Sequence, residues 1–274
     1  MKVLVTNASG AFGRQLVPRL ITAGHTVLRT ALDVLDAAAV REAVQRTRSE
    51  VIVHQATALC GNPGLSKADE TSRMHREGTD NLLAAAKESG VRRFVLQSYA
   101  VDTYASRRED DPLGTAASLV ATIRYVEQAV ASAEGIEGLV LRYGDFYGPG
   151  TSLQLGEEYL EMVRKRRFPI TWRSSFIHVA DAARATVAAV ERGAPGIYDI
   201  VEDGPVPKSE WLPVLARAAR AKPPRRVPPW LGGESVTGLF TENRDASNAK
   251  AKRELGWEPQ AASWRDGFTQ MLQP

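Results

Sequence analysis

Met1-Lys2-Val3-Leu4-Val5-Thr6-Asn7-Ala8-Ser9-Gly10-Ala11-Phe12-Gly13 opens the chain, and the fold is decided by how this stretch is read. Val3-Leu4-Val5 is an apolar run of strand length, and from Ala11 to Ala23 the apolar residues recur at helical period. Between them lies a strand-to-helix turn. There the unpaired amides of the helix N-terminus and the positive end of its dipole favour an anion such as a pyrophosphate. Gly10 lets the backbone approach that anion, and Gly13 lets the helix pack on the strand. Asn7 stands where a glycine would make the tight turn. Asn tolerates positive φ better than other side chains of its size, so the loop is expected to keep its shape. Asn7, Ser9, Gly10, Ala11, Phe12 and Gly13 are the first candidate ligand contacts.

Working outward, strand-length apolar runs keep alternating with helical segments: Thr26-Leu28, Ala37 to Gln45, Val51-His54, Thr79 to Ser89, Phe94-Gln97, a long helix from about Ala116 to Ala133, and the strand Gly138-Leu141. That order predicts an α/β fold, a parallel sheet flanked by helices, filling residues 1–150. After Tyr147-Gly148-Pro149-Gly150 the elements shorten and Pro and Trp become frequent, with strand and helix character returning near Phe176-Val179 and Ala182-Val190. Residues 176–200 are therefore expected to rejoin the sheet, with 151–175 and 201–274 forming a smaller, interleaved C-terminal substrate lobe. Lys222 to Pro229 carries four prolines and is expected to be a surface loop.

Lys and Arg total 35 against 32 acidic residues, a net charge of +3, which gives no footprint for nucleic acid. The densest basic run, Arg164-Lys165-Arg166-Arg167, reads as a solvated helix end. Cys60 is the single cysteine, so neither an intrachain disulfide nor a thiolate zinc site can form. No His, Cys and carboxylate spacing suggests a metal. With Met1 leading straight into a strand and no run long enough to span a bilayer, the expected location is cytoplasmic and no membrane partner is expected.

The octet Thr6 to Gly13 resembles the T-G-x-x-G-x-x-G loop of the short-chain dehydrogenases/reductases. Further segments resemble the extended, or NAD-dependent epimerase/dehydratase, branch: Asp33-Val34-Leu35-Asp36, His54-Gln55-Ala56-Thr57, Gly78-Thr79-Asp80-Asn81-Leu82-Leu83, Leu141-Arg142-Tyr143, Ser175-Phe176-Ile177-His178-Val179 and Lys252 to Pro259. The resemblance implies a Rossmann-type sheet holding NAD or NADP. It also implies that Asp33, beside Val34, reaches the adenine amino group, that Gln55, Ala56 and Thr57 line the dinucleotide, that Gln97 follows them, and that Tyr143 lies beside the nicotinamide. At the end of the second strand an acid would bind the ribose hydroxyls of NAD, and a base the 2′-phosphate of NADP. The chain offers Arg29 there, which leans toward NADP.

The chain departs from the family where chemistry is expected. The family's Tyr and Lys sit four residues apart on a helix, the ammonium lowering the phenol pKa for proton transfer. None of the seven tyrosines here is followed by Lys at that distance, and registering the helix on Val126-Glu127-Gln128 puts Leu119 and Ile123 at the two places. Ser98 and Tyr99, at the carboxyl edge of the fourth strand, are then the candidates to hydrogen-bond a substrate oxygen, with Tyr143 positioning the ring. Tyr104, Asn243 and Arg244 are candidate substrate contacts. His178 is expected to be structural, and His54 and His75 to be satisfied by the backbone. The leading expectation is an NAD(P)-dependent oxidoreductase or epimerase acting on a small hydroxyl or carbonyl metabolite, a nucleotide sugar or secondary metabolite. Two other readings stay open: a cofactor-independent cyclisation, dehydration or isomerisation, and a non-enzymatic NADP-sensing regulator. By analogy the chain pairs as a homodimer through two helices.

Overall fold

The computed structural model describes residues 1–29, 32–55, 68–100, 118–154, 156–166, 173–204, 206–224, 246–261 and 263–272. The alternation read from the sequence is present as β1 (Lys2–Val5), α1 (Ala11–Thr22), β2 (Thr26–Arg29), α2 (Ala37–Thr47), β3 (Val51–His54), α3 (Ala68–Glu88), β4 (Arg93–Tyr99), α4 (Ser118–Ala131) and β5 (Glu137–Tyr143). There follow β6 (Asp145–Tyr147), α5 (Glu158–Arg164), β7 (Arg173–Ser174), β8 (Phe176–His178), α6 (Val179–Glu191), β9 (Gly196–Ile200), β10 (Val206–Pro207), α7 (Lys208–Ala218), α8 (Ala249–Leu255) and α9 (Trp264–Met271).

Six strands form one sheet in the order β2-β1-β3-β4-β5-β9, parallel at every pairing. This is the Rossmann-like fold expected. The chain steps from β1 to β2 on one side and returns to β3 on the other. The carboxyl ends of β1 and β3 therefore border the crevice where open α/β sheets bind ligands.

Successive strand residues point to opposite faces, so Val3 and Val5 serve one core and Leu4 the other. On the first face Phe12, Leu16 and Leu20 of α1 and the alanines of α6 meet Val3, Val5, Val53, Leu139 and Leu141. On the second, Val40, Val44, Leu82, Ala86, Val126 and Val130 from α2, α3 and α4 cover Leu4, Ile52, Phe94 and Val140. A third cluster belongs to the later part of the chain: Tyr147, Leu160, Phe176, Trp211, Leu212, Trp264 and Phe268. It is bordered by two small sheets, β10-β7 and β6-β8.

One helix differs from the expectation. α3 begins at Ala68, well before Thr79. Its first half, Ala68-Asp69-Glu70-Thr71-Ser72-Arg73-Met74-His75-Arg76-Glu77, has almost no apolar period to read. Polar residues on its inward side turn out to matter for the site.

Candidate dinucleotide and substrate site

The turn after β1 has the shape that its residues dictate. Asn7 has φ 52°, the left-handed region that asparagine tolerates. A Cβ on Gly13 would stand 2.5 Å from the Ala8 carbonyl oxygen and 2.6 Å from that of Asn7, so backbone fills the space a side chain would need. Gly10 is the N-cap of α1 and supplies no side-chain cap. The helix N-terminus therefore presents its amides to whatever lies at the switch point. Arg14 adds a guanidinium one turn on, its Nη1 donating to Ser9 O at 3.0 Å. Loop, glycines and uncapped helix end fit a dinucleotide pyrophosphate.

Toward the adenosine end, Arg29 closes β2 opposite Val5 and is exposed. Asp33 is exposed as well, and its Oδ1 accepts from Leu35 N at 3.0 Å, an Asx turn that shapes the loop. Val34 is buried against Gly78, where an added Cβ would come within 2.7 Å of a Val34 methyl. Asn81 Nδ2 donates to Val34 O at 2.9 Å. Asn81 thus holds the loop after β2, a role the quoted motif did not disclose. Gln55 N donates to Thr6 Oγ1 at 2.9 Å, yet its buried side-chain amide has no partner at either atom. Ala56, Thr57, Tyr104, Asn243 and Arg244 lie outside the described residues.

Next to α1 opens a cavity of about 310 Å³ at the carboxyl edges of β4 and β5. Ala11, Phe12, Gln97, Tyr99 and Tyr143 line it from the sheet side, and Phe146, Leu153, Phe176, Val179 and Trp211 from the other. Phe12 stacks on Phe146 with ring centroids 5.1 Å apart at 19°, and Tyr143 tilts against both at 5.4 Å. The described charged residues at its wall are Asp145 and Glu157, with no described Lys or Arg among them. The wall is aromatic, so a flat apolar ligand gains both burial and ring contacts there.

Of the three residues proposed for chemistry, two stand at the cavity. Tyr99 lines it. Ser98 does not: it is 2 % exposed, and its Oγ donates to Glu127 Oε1 at 2.5 Å. The same carboxylate takes Arg142 Nε at 2.9 Å and Nη2 at 2.6 Å. β4 pairs Ser98 with Arg142 of β5, and α4 lowers Glu127 onto both. The expected substrate role of Ser98 is corrected by this commitment of its hydroxyl inside the protein. Tyr143 contributes its ring to the wall, while its hydroxyl is hydrogen-bonded to Thr186 Oγ1 at 2.6 Å and burial pushes the phenol far above its ordinary pKa. Ile123, at the place of the family's lysine, is buried.

The histidines divide. His178 caps α6, its Nδ1 accepting from Ala180 N at 3.2 Å. His54 and His75 depart from the expectation that the backbone satisfies them. His54 Nδ1 shares a hydrogen bond with Thr6 Oγ1 at 3.1 Å, and the Nε2 atoms of both rings are buried without a partner. Burial lowers the His54 pKa to about 3 and the His75 pKa to about 4, so both are neutral near pH 7. No three His, Cys, Asp or Glu side chains converge on a metal position among the described residues. None of the described helices is long and apolar enough to cross a membrane.

The aromatic residues of the far wall escaped the sequence reading. Phe146 and Phe176 lie within or beside motifs quoted above, but nothing local shows that they and Trp211 face one space.

The chain is similar to known proteins over most of its length. Residues 3–200 match the NAD dependent epimerase/dehydratase family. A Streptomyces protein named 3-diazoavenalumate denitrifying reductase is 39% identical, over 98% of this chain and 99% of its own. The dTDP-4-dehydrorhamnose reductase of Streptomyces griseus is 31% identical, over 82% of this chain and 78% of its own. Among solved structures, UDP-glucose 4-epimerase from Thermotoga maritima superposes with a TM-score of 0.78 over 99% of this chain and 97% of its own, at 20% identity.

Proposed function

The chain belongs to the NAD-dependent epimerase/dehydratase family and is an NAD(P)-dependent enzyme of it, and from that premise we propose that it is a reductase of a small, flat aromatic metabolite, with an aryl diazo acid as the substrate class. The aromatic cavity beside α1 is the observation that carries the reading: rings line it from both sides. The described charges on this wall are carboxylates, which attract a cationic diazonium group. The Streptomyces relative named for reductive loss of nitrogen from a diazo compound, alike over the whole chain, supports the diazo class.

The missing acid–base pair supports it too. A carbonyl that gains hydride leaves an oxyanion that must be protonated, which is the task of the family's Tyr and Lys. An arenediazonium carbon that gains hydride breaks its C–N bond, the electron pair leaves with the nitrogen, and dinitrogen departs. No proton has to move. Leu119 and Ile123 are then no handicap.

Bound dinucleotide supplies the hydride. The α1 N-terminus, Gly10, Gly13 and Arg14 would hold its pyrophosphate; Phe12 and Tyr143 would flank the cavity end; Gln55 would meet it beyond β3. Arg29 favours a 2′-phosphate, which makes NADP the preferred form. Phe146, Phe176 and Trp211, from the segments after residue 144, would exclude water and hold the substrate ring, and Tyr99 would hydrogen-bond a substrate oxygen or nitrogen. Residues 151–175 and 201–274 act in this reading as the substrate lobe. The test is NADPH oxidation with a carboxylated arenediazonium. Dinitrogen release is expected, with deuterium from 4-deuterated NADPH at the vacated carbon. Reduction of aryl ketones with no action on the diazo compound would refute the diazo class and return the enzyme to carbonyl chemistry.

A further inference from the structure

A polar seam runs behind the cavity, between the carboxyl end of β3 and the inward side of α3. Ser72, His75 and Thr79 fall at positions i, i+3 and i+7 of the helix and so share one face. His54 closes β3 beside His75, and Gln55 follows it in the chain. Ser72 Oγ, His75 Nε2, Thr79 Oγ1, His54 Nε2 and both amide atoms of Gln55 are all buried without a hydrogen-bond partner. Native interiors leave few such atoms, and a concentration of them marks a place that water or a ligand fills, or that function keeps against stability. His54 and His75 are close enough to act on one another electrostatically. At the cavity end of the seam the His75 ring lies against the Tyr99 ring, centroids 6.2 Å apart at 48°.

We propose that His75 is a positioning residue for Tyr99: its Nε2–H donates to the Tyr99 oxygen through one buried water, so that Tyr99 keeps its own proton for a substrate oxygen or nitrogen. A phenol has one donor and two acceptor sites, and a neutral imidazole has one N–H. A chain running His75 to Tyr99 to substrate therefore uses each group once, and hydrogen bonds in series polarise one another in a dry site. The rest of the seam holds the water that satisfies His54, Gln55 and Thr79. Tyr99 as substrate contact rests on the function proposed above; its link to His75 does not.

The experiment keeps the two separate. In protein labelled with 15N-histidine and loaded with NADP⁺, His75 is expected as the neutral Nε2–H form, and Tyr99→Phe, which preserves the ring but removes the hydroxyl, is expected to move the His75 ring nitrogen signals. Signals that stay in place in Tyr99→Phe would overturn the proposal, with or without any substrate. In turnover, His75→Phe is expected to lower kcat by about tenfold or more through loss of substrate orientation. NADPH affinity and Tm should stay near wild type in that variant, and His75→Asn should restore part of the rate. Equal turnover in His75→Phe and wild type would also overturn it. A wild-type protein inert toward every diazo and carbonyl compound would instead count against the function, and the nitrogen signals would still decide the His75 link.

Discussion

Asn7, Gly10 and Gly13 sit in one turn but differ in what they tolerate. A methyl on Gly13 meets backbone oxygens at 2.5 and 2.6 Å, and one on Gly10 meets the Asn7 side chain at 2.8 Å, which can swing away. Gly13→Ala should therefore cost about 1–3 kcal/mol and most of the dinucleotide affinity, with Gly10→Ala clearly milder. Denaturant unfolding and cofactor titration of both variants check that order. Asn7→Gly should be neutral within a few tenths of a kcal/mol, whereas Asn7→Ala should lose about 1 kcal/mol at this positive φ. The buried histidines give a pH dependence. Their folded pKa values, about 3 and about 4, lie below the ordinary histidine value of about 6.5. The unfolded chain thus takes up protons first as the pH falls. Stability is full above pH 6.5 and declines below it, down toward pH 4 for His75 and pH 3 for His54. The expected loss is about 1 kcal/mol per histidine per pH unit. Between pH 6.5 and 5.5, before most carboxylates titrate, the wild-type Tm should fall measurably more than that of His54→Gln; parallel curves would show that His54 is not the cause.

At the scale of elements, α4 is fixed to the sheet by a charge pair. Glu127 and Arg142 are each 3 % exposed at the side chain, and Ser98 completes the cluster. Glu127→Ala strands a buried guanidinium and should destabilise by about 3–5 kcal/mol, read as a lower urea midpoint. Ser98→Ala should cost far less, about 1 kcal/mol, and leave turnover close to wild type. What the sequence disclosed follows from range. The β1-turn-α1 unit is local, and an apolar strand-length run, Gly10 and Gly13, and the 3.6-residue period from Ala11 to Ala23 mark it within the first 23 positions. That the sheet is parallel came from the same alternation repeated. Ser98, by contrast, looked like a substrate hydroxyl because only the register of β4 against β5, and the height of α4 over both, reveals that Arg142 and Glu127 claim it. The start of α3 stayed hidden because its inward side is polar where a helix usually shows an apolar stripe.

Across the whole molecule, the later segments are tied to the sheet by buried polar links that hold the cavity's far wall. Tyr147 donates to Glu202, whose Oε2 accepts from Trp264 N at 3.1 Å, and burial raises the Glu202 pKa. Asp181 of α6 accepts from the amides of Gln260 and Ala261 at 3.1 and 2.9 Å. Glu202→Ala should leave the Tyr147 hydroxyl and the Trp264 amide unsatisfied and cost about 2–3 kcal/mol, and it should weaken substrate binding more than dinucleotide binding. None of this was visible from single segments, because the partners lie tens of residues apart. The cavity itself arises only where the switch point of the sheet meets that far wall, and on it rests the claim that a dinucleotide and an aromatic substrate share one site. Calorimetric titration of dinucleotide-free protein with NADP(H) and NAD(H), repeated on Gly13→Ala and Arg29→Ala, tests that claim most directly. Saturable binding is expected, tighter for NADP(H), mostly lost in Gly13→Ala and brought down to the NAD(H) level by Arg29→Ala. Absence of binding by either dinucleotide, or binding indifferent to Gly13→Ala, would contradict it.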